Sequence, residues 1–234
     1  MELVNIDKAI FFDAGPIISL VMSRLIWILP KLKEEYPGKF YITPAVKKEL
    51  VERPMNIRRF EFEALQVTKL IEDGVLEVYD KVPQKIVDKL KTLANSSFKI
   101  GKNNMDVLQA GELESLACYL DVGGEAIVID ERTLRLFIEN SKNLRRLLEK
   151  RFRSKVVADL EQIDRFKKEV GVVKIIRSVE LVGVAYKFGW LDSYIPKKKG
   201  GREVLLDSVL WAAKSNGSAV TGHEIEEIKN YLLS

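Results

Sequence analysis

The sequence predicts an α/β protein of three layers, a central parallel β-sheet covered by helices on both faces, with an inserted helical arm. Three observations lead there. Short apolar runs such as residues 8–12 (KAIFF) and 126–130 (AIVID) lack the polar alternation of a half-exposed strand, which marks them as buried on both faces. Stretches with helical apolar spacing follow these runs in turn, the pattern of a sheet wrapped by its own crossover helices. The chain has 234 residues, 47% hydrophobic and 31% charged, which is long enough to bury a core and too apolar for disorder.

Taken in order, strand 8–12 stops at Asp13-Ala14-Gly15-Pro16, and residues 17–32 (IISLVMSRLIWILPKL) have helical spacing. Residues 39–44 (KFYITP) form a second strand, with Thr43 as N-cap and Pro44 as first residue of the helix AVKKELVER. A helix over 55–73 is ended by Gly74, residues 75–80 alternate as a strand, and 83–94 return to helix. NSSFKIGKNN at 95–104 reads as loop, and 106–124 is helical in its second half. After strand 126–130, residues 139–172 are strongly charged and helical in propensity. They read as an inserted basic arm within one domain spanning 1–234, too short and polar to own a core; a separate small domain is the alternative. Strand 173–177 and helices at 179–187, 203–217 and 223–233 complete the chain.

Composition excludes several chemistries. One Cys (Cys118) and one His (His223) are too few for a disulfide framework or a Cys/His zinc site, so any metal must rest on carboxylates. Cys118 falls on the apolar side of its helix and reads as core, and His223 as a helix-start residue without a catalytic part. The N-terminus lacks a basic region before an apolar stretch, and the apolar run near residue 20 is broken by Ser23, Arg24 and Pro30. A cytoplasmic protein with no membrane association is expected. No G-x-S-x-G elbow or G-x-G-x-x-G turn is present, and a phosphatase of the haloacid-dehalogenase kind needs an Asp where Gly15 stands. Net charge is only +4, yet residues 141–155 carry +6 and KKKGGR at 197–202 another +4, leaving about −6 elsewhere. Such segregation suits a polyanion brought to an acidic site, although for a lone basic run a solvated helix face, with a Lys-rich loop beside it, is the commoner explanation.

The acidic site is found where strands end. Asp13 follows one buried strand and Asp130 another, so both project from the same sheet edge, where ligands of parallel sheets gather. Glu49, Glu112 and Glu114 fall near helix starts. Singly, each acid could be a helix cap or a complement to a helix dipole. Together, four carboxylates near one edge repel each other and are tolerated when a hard cation neutralises them, which points to Mg²⁺ or Mn²⁺. Glu112 and Glu114 cannot face the same way on a regular helix, so Glu112 is preferred with Glu114 in reserve. Asp130 is preferred to Glu131, which is also held in reserve, because it follows the buried strand directly.

The segments FFDAGPIISL, ITPAVKKELV, AGELESLACYL and IVIDERTLR, in this order, resemble the PIN-domain nucleases and in particular a prokaryotic, archaeal branch of that superfamily. The tail RSVELVGVAYKFGWLD followed by REVLLDSVLWAAKSNG is similar to that branch's C-terminal helices, leaving roughly 140–172 as additional material. The resemblance implies a metal-dependent ribonuclease in which Asp13, Glu49, Glu112 and Asp130 are the catalytic, metal-coordinating quartet for Mg²⁺ or Mn²⁺. Ala14 and Gly15 depart from it, since many PIN proteins place a Ser, Thr or Asn there. On this reading RNA is the substrate, its backbone held by Arg145, Arg146, Arg151, Arg153, Lys197, Lys198 and Lys199, and Phe152 could stack on a base. The resemblance also admits a small antitoxin-like protein partner and a homodimer. The competing reading is a catalytically inactive PIN-like module that binds RNA or protein.

Overall fold

The structure, a computed structural model, describes residues 8–234. Residues 1–7, part of the segment read above for a secretory leader, lie outside the described residues. Strand β1 (Ala9–Phe12) leads to helices α1 (Ala14–Met22) and α2 (Ile28–Glu35), then β2 (Lys39–Ile42), α3 (Pro44–Lys47), a π-helical turn at Lys48–Glu52, α4 (Glu61–Glu72) and β3 (Glu77–Val78). Next come α5 (Gln84–Ser96), β4 (Phe98–Ile100), β5 (Asn103–Asn104), α6 (Ala110–Val122), β6 (Ala126–Val128) and α7 (Arg132–Glu139). The chain continues through α8 (Ser141–Phe152), β7 (Val156–Ala158), α9 (Leu160–Val170), β8 (Ile175–Ile176), α10 (Ser178–Lys187), α11 (Gly201–Ser215) and α12 (Gly222–Leu233).

The main sheet has the order β3-β2-β1-β6-β8, with every neighbouring pair parallel. The order runs outward from β1 to β3 on one side and from β6 to β8 on the other, so the topological switch point lies between β1 and β6. Phe12 pairs with Val128 across it, and Asp13 N–H donates to Val128 O at 2.9 Å. Alternation along these strands feeds two cores. Phe12 and Val128 join the core under α1, α2, α10 and α11, whereas Phe11, Ile127 and Ile129 join the core under α5, α6, α7 and α9. The two cores and the sheet between them are the three layers expected. No helix among the described residues is long and apolar enough to cross a membrane.

The differences from the sequence reading are local. The helical run of 17–32 is broken, because Arg24 adopts a left-handed conformation (φ 58°) between α1 and α2. Residues 95–104, expected to be loop, contain β4 and β5. β4 finds its other partner in β7, inside the inserted segment, forming a small antiparallel sheet of order β5-β4-β7. The arm is therefore not purely helical. Its Leu144, Leu148, Val156, Ile163, Phe166 and Val170 are buried in the core beneath α5 and α6, where Phe166 stacks on Phe137 at 4.2 Å between centroids. A strand partner about 60 residues away leaves no trace in local periodicity, which is why both features were hidden.

Candidate active site

Four carboxylates reach the carboxyl edge of the sheet, and the fold treats them differently. Asp13 caps α1, and Gly15 N–H donates to its Oδ2 at 3.4 Å. Its pKa is pushed up to about 6, first by burial, against the lowering effect of the Ala14 and Gly15 amides, with Glu49 and Asp130 adding repulsion. Glu112 lies in the first turn of α6, where its Oε2 accepts from Gln109 N–H at 2.7 Å. Its other oxygen, Oε1, is buried without any hydrogen-bond partner. Burial, opposed by that one amide and reinforced by Asp13, Glu131 and Glu49, pushes the Glu112 pKa up to about 8.

Glu49 projects from the π-helical turn and is half-buried. Gly111 lets it approach the others. A methyl group at position 111 would sit 3.2 Å from Asp13 Oδ1, 3.3 Å from Val46 Cγ2 and 3.9 Å from Glu49 Oε2. Asp13 and Glu49 thus face one bare stretch of backbone at the start of α6, beside Glu112.

Asp130 is placed at the same edge but is otherwise engaged. Ser19 Oγ and Ser178 Oγ donate to its Oδ2 at 2.6 and 2.7 Å, and Ser178 N–H and Ser218 Oγ donate to its Oδ1 at 2.8 and 3.0 Å. Four donors fill the four acceptor positions of a carboxylate. Its oxygens tie together α1, α10 and the segment after α11, which sets it apart from the other three acids of the expected quartet. The three serines were missed by sequence reasoning. Nothing in the sequence around Ser19, Ser178 or Ser218 marked them.

The reserve acids have their own occupations. Glu114 Oε2 accepts from Ala45 N–H at 2.9 Å, holding the start of α3. Glu131 caps α7 through Thr133, and its Oε1 lies 3.9 Å from an Arg151 guanidinium nitrogen. Arg151 and Phe152, at the end of α8, line a cleft of about 500 Å³ together with Glu112, Glu114 and Glu131. Lys150 and Arg132 border a second opening, which shares Glu131 and Arg151 with the first and reaches Asp130. The other basic candidates stand off. Arg145, Arg146 and Arg153 are exposed elsewhere on the arm. Lys197, Lys198 and Lys199 precede α11, whose 15 residues separate them by about 22 Å from the Asp130 end. Cys118 is fully buried and His223 exposed, as their sequence contexts suggest.

A protein-family model described as a PIN domain matches residues 9–143, more than half of the chain. The chain belongs to the PIN-domain family. Neither the curated proteins nor the solved structures give a match. PIN domains are in general nucleases that use divalent metal ions. All four acids of the expected quartet fall inside the matched PIN region, whereas Arg151, Phe152 and Lys197–Lys199 lie beyond it.

The donor set suits a hard cation in part. Burial makes Asp13 and Glu112 costly to ionise, and Glu112 Oε1 has no hydrogen-bond partner, so these are oxygens that a bound cation would stabilise. Among the described residues, however, no group of three or more His, Cys, Asp or Glu is already drawn into a metal-holding cage. Asp13 and Glu112, with Glu49 facing the same stretch of backbone at Gly111, are the acids with oxygens free for an ion, whereas the oxygens of Asp130 are taken up by Ser19, Ser178 and Ser218.

Proposed function

We propose that the protein is a metal-dependent endoribonuclease whose Mg²⁺ or Mn²⁺ is held by Asp13, Glu112 and Glu49. The observation that carries this reading is the buried pair Asp13 and Glu112, both destabilised as anions, at the switch point of a PIN fold. When bound there, a divalent ion would polarise the scissile phosphate and favour ionisation of an attacking water.

The chain's own residues do the rest. Glu112 offers Oε1, the oxygen its helix does not use, while the Gln109 amide fixes Oε2. The amide of Gly15 and the register of β1 orient Asp13. Asp130 binds no substrate; it holds α1 and α10 so that the edge carrying Asp13 keeps its shape. Arg151 can exchange its long contact with Glu131 for a phosphate oxygen, which brings the RNA backbone beside the acids.

The test is cleavage of labelled single-stranded and structured RNAs in Mn²⁺, Mg²⁺ or EDTA by the wild type and by Asp13→Asn. Metal-dependent cutting lost in a folded Asp13→Asn protein is the expected result. RNA binding by both proteins without cutting in any metal would replace the nuclease with a binding module.

A further inference from the structure

The cleft beside Glu112 has a composition that the phosphate chemistry leaves unexplained. Its floor is apolar, formed by Val87 of α5, Leu113 of α6 and Leu148 of α8. Its lip is Phe152, 48% exposed although it closes a helix whose Leu144 and Leu148 are buried. An aromatic ring held half in water at the mouth of an apolar-floored cleft offers a flat face to another flat group.

Charge decides which group can enter. Asp88, Asp106, Glu112, Glu114 and Glu131 line the cleft against only Lys91 and Arg151. Phosphate is excluded from most of this rim and admitted at Arg151, at the edge shared with the opening that leads to Asp130. Beyond Arg151 the rim repels anions, so what enters there carries no negative charge, and the half-exposed ring of Phe152 suits a flat group. Asp106, oriented by the Asn95 amide that donates to its Oδ1 at 2.5 Å, and Asp88 face such a group with acceptors. Leu148, Arg151 and Phe152 belong to the segment beyond residue 143, where the family match ends, so one wall of the cleft is built outside the matched PIN region.

We propose that this cleft is a subsite for one unpaired nucleobase, stacked on Phe152 beside the phosphate at Arg151, with a preference for bases that carry an exocyclic amino group. Adenine and cytosine present an N–H₂ to a carboxylate acceptor, and uracil presents a carbonyl in its place. The proposal rests on the reading of the protein as one that acts on RNA, and it assigns to the inserted segment the recognition of sequence next to the cut.

The experiment is equilibrium binding of the full chain to fluorescein-labelled octamers of adenosine, cytidine or uridine, followed by anisotropy in EDTA so that nothing is cut. Adenosine and cytidine octamers should bind more tightly than uridine. Phe152→Ala should weaken adenosine binding by about 5- to 150-fold, the worth of one stacked base, and Phe152→Trp should restore it. Asp106→Asn should narrow the gap between cytidine and uridine. Unchanged affinity in Phe152→Ala, or no binding of any octamer, overturns the subsite, and equal affinity for all three overturns the amino-group preference. Cleavage in Mn²⁺ with an unaltered Phe152→Ala KM leaves the nuclease standing without the subsite. Phe152-dependent binding with no cleavage in any metal leaves the subsite standing without the nuclease.

Discussion

Asp130 and Glu112 are buried to the same degree, 2% and 3% exposed, at the same edge of the same sheet, yet the chain equips them oppositely. Asp130 receives three hydroxyls and one backbone amide, so every acceptor position of its carboxylate is occupied. Glu112 receives one amide, keeps an orphaned oxygen, and faces Asp13, Glu49 and Glu131. Burial of a carboxylate therefore says little about its role. The number of donors supplied divides an acid that holds the fold from one left for a ligand.

The strongest way to break this comparison is to remove each charge in turn. Asp130→Ala strands the hydroxyls of Ser19, Ser178 and Ser218 and one amide in the interior, and should cost about 3–5 kcal/mol in urea unfolding. Glu112→Gln removes a poorly solvated charge and should stabilise the metal-free protein at pH 8, on the order of 1–3 kcal/mol, while abolishing cleavage. If both substitutions destabilise alike, the distinction between the two acids is lost.

Acidity sharpens the same contrast. Asp13 and Glu112 titrate in the folded protein near 6 and 8, above their ordinary values of 3.8 and 4.5. Between those limits these two groups bind more protons in the folded chain than in the unfolded one, so their contribution to metal-free stability is fully present below about pH 4 and is lost as pH rises to 8. Glu224, held down to about 2, has the opposite sign: its contribution is fully present above its ordinary value of 4.5 and is lost as pH falls towards 2, so stability should peak at about pH 4. The loss above that peak is on the order of a few kcal/mol, read by thermal unfolding in EDTA at a series of pH values. Protons compete with a cation for these carboxylates, so Mn²⁺ should raise Tm more at pH 8 than at pH 5. A Tm indifferent to pH in EDTA would mean that the two acids are ionised at no cost.

A smaller effect separates the donors of Asp130 from one another. Ser178 contributes both its amide and its hydroxyl, and Ser178→Ala keeps the amide while leaving one buried acceptor position empty. It should cost about 1–2 kcal/mol, with cleavage largely retained, whereas a full loss of cleavage would make Asp130 a participant and not a scaffold.

Much of this arrangement was legible in the sequence. Asp13 and Asp130 stood out because each closes an unalternating apolar strand, and parallel sheets put such ends together at a switch point. Glu112 was legible as a first-turn acid, and the buried Thr43 cap with Pro44 behind it formed as its dipeptide implies. The serines around Asp130 were not legible. They come from positions 19, 178 and 218, and only the closing of the fold gives three ordinary hydroxyls a common partner. The same holds for β4 and β7, whose pairing is set by a contact distant in sequence, and for Arg151, one basic residue of seven in its stretch and the one that turns toward Glu131.

Gly111 supplies the finest test, because its contribution is the absence of an atom. A residue inside a first helical turn gains up to about 1 kcal/mol on going from Gly to Ala when nothing opposes it. Here the added methyl meets Asp13 Oδ1 at 3.2 Å and Val46 Cγ2 at 3.3 Å, so the helix gain is set against displacement of a carboxylate that a metal needs. Gly111→Ala should leave stability within about 1 kcal/mol of wild type and yet lower the affinity for Mn²⁺, measured by the metal concentration that half-restores cleavage. Because Asp130 is anchored by donors from other elements, the same substitution should not move it, and the stability cost of Asp130→Ala should be equal in the wild-type and Gly111→Ala backgrounds. If the two substitutions instead prove strongly coupled, the scaffold and the metal side of the edge form one unit, and the division drawn between the two acids does not exist.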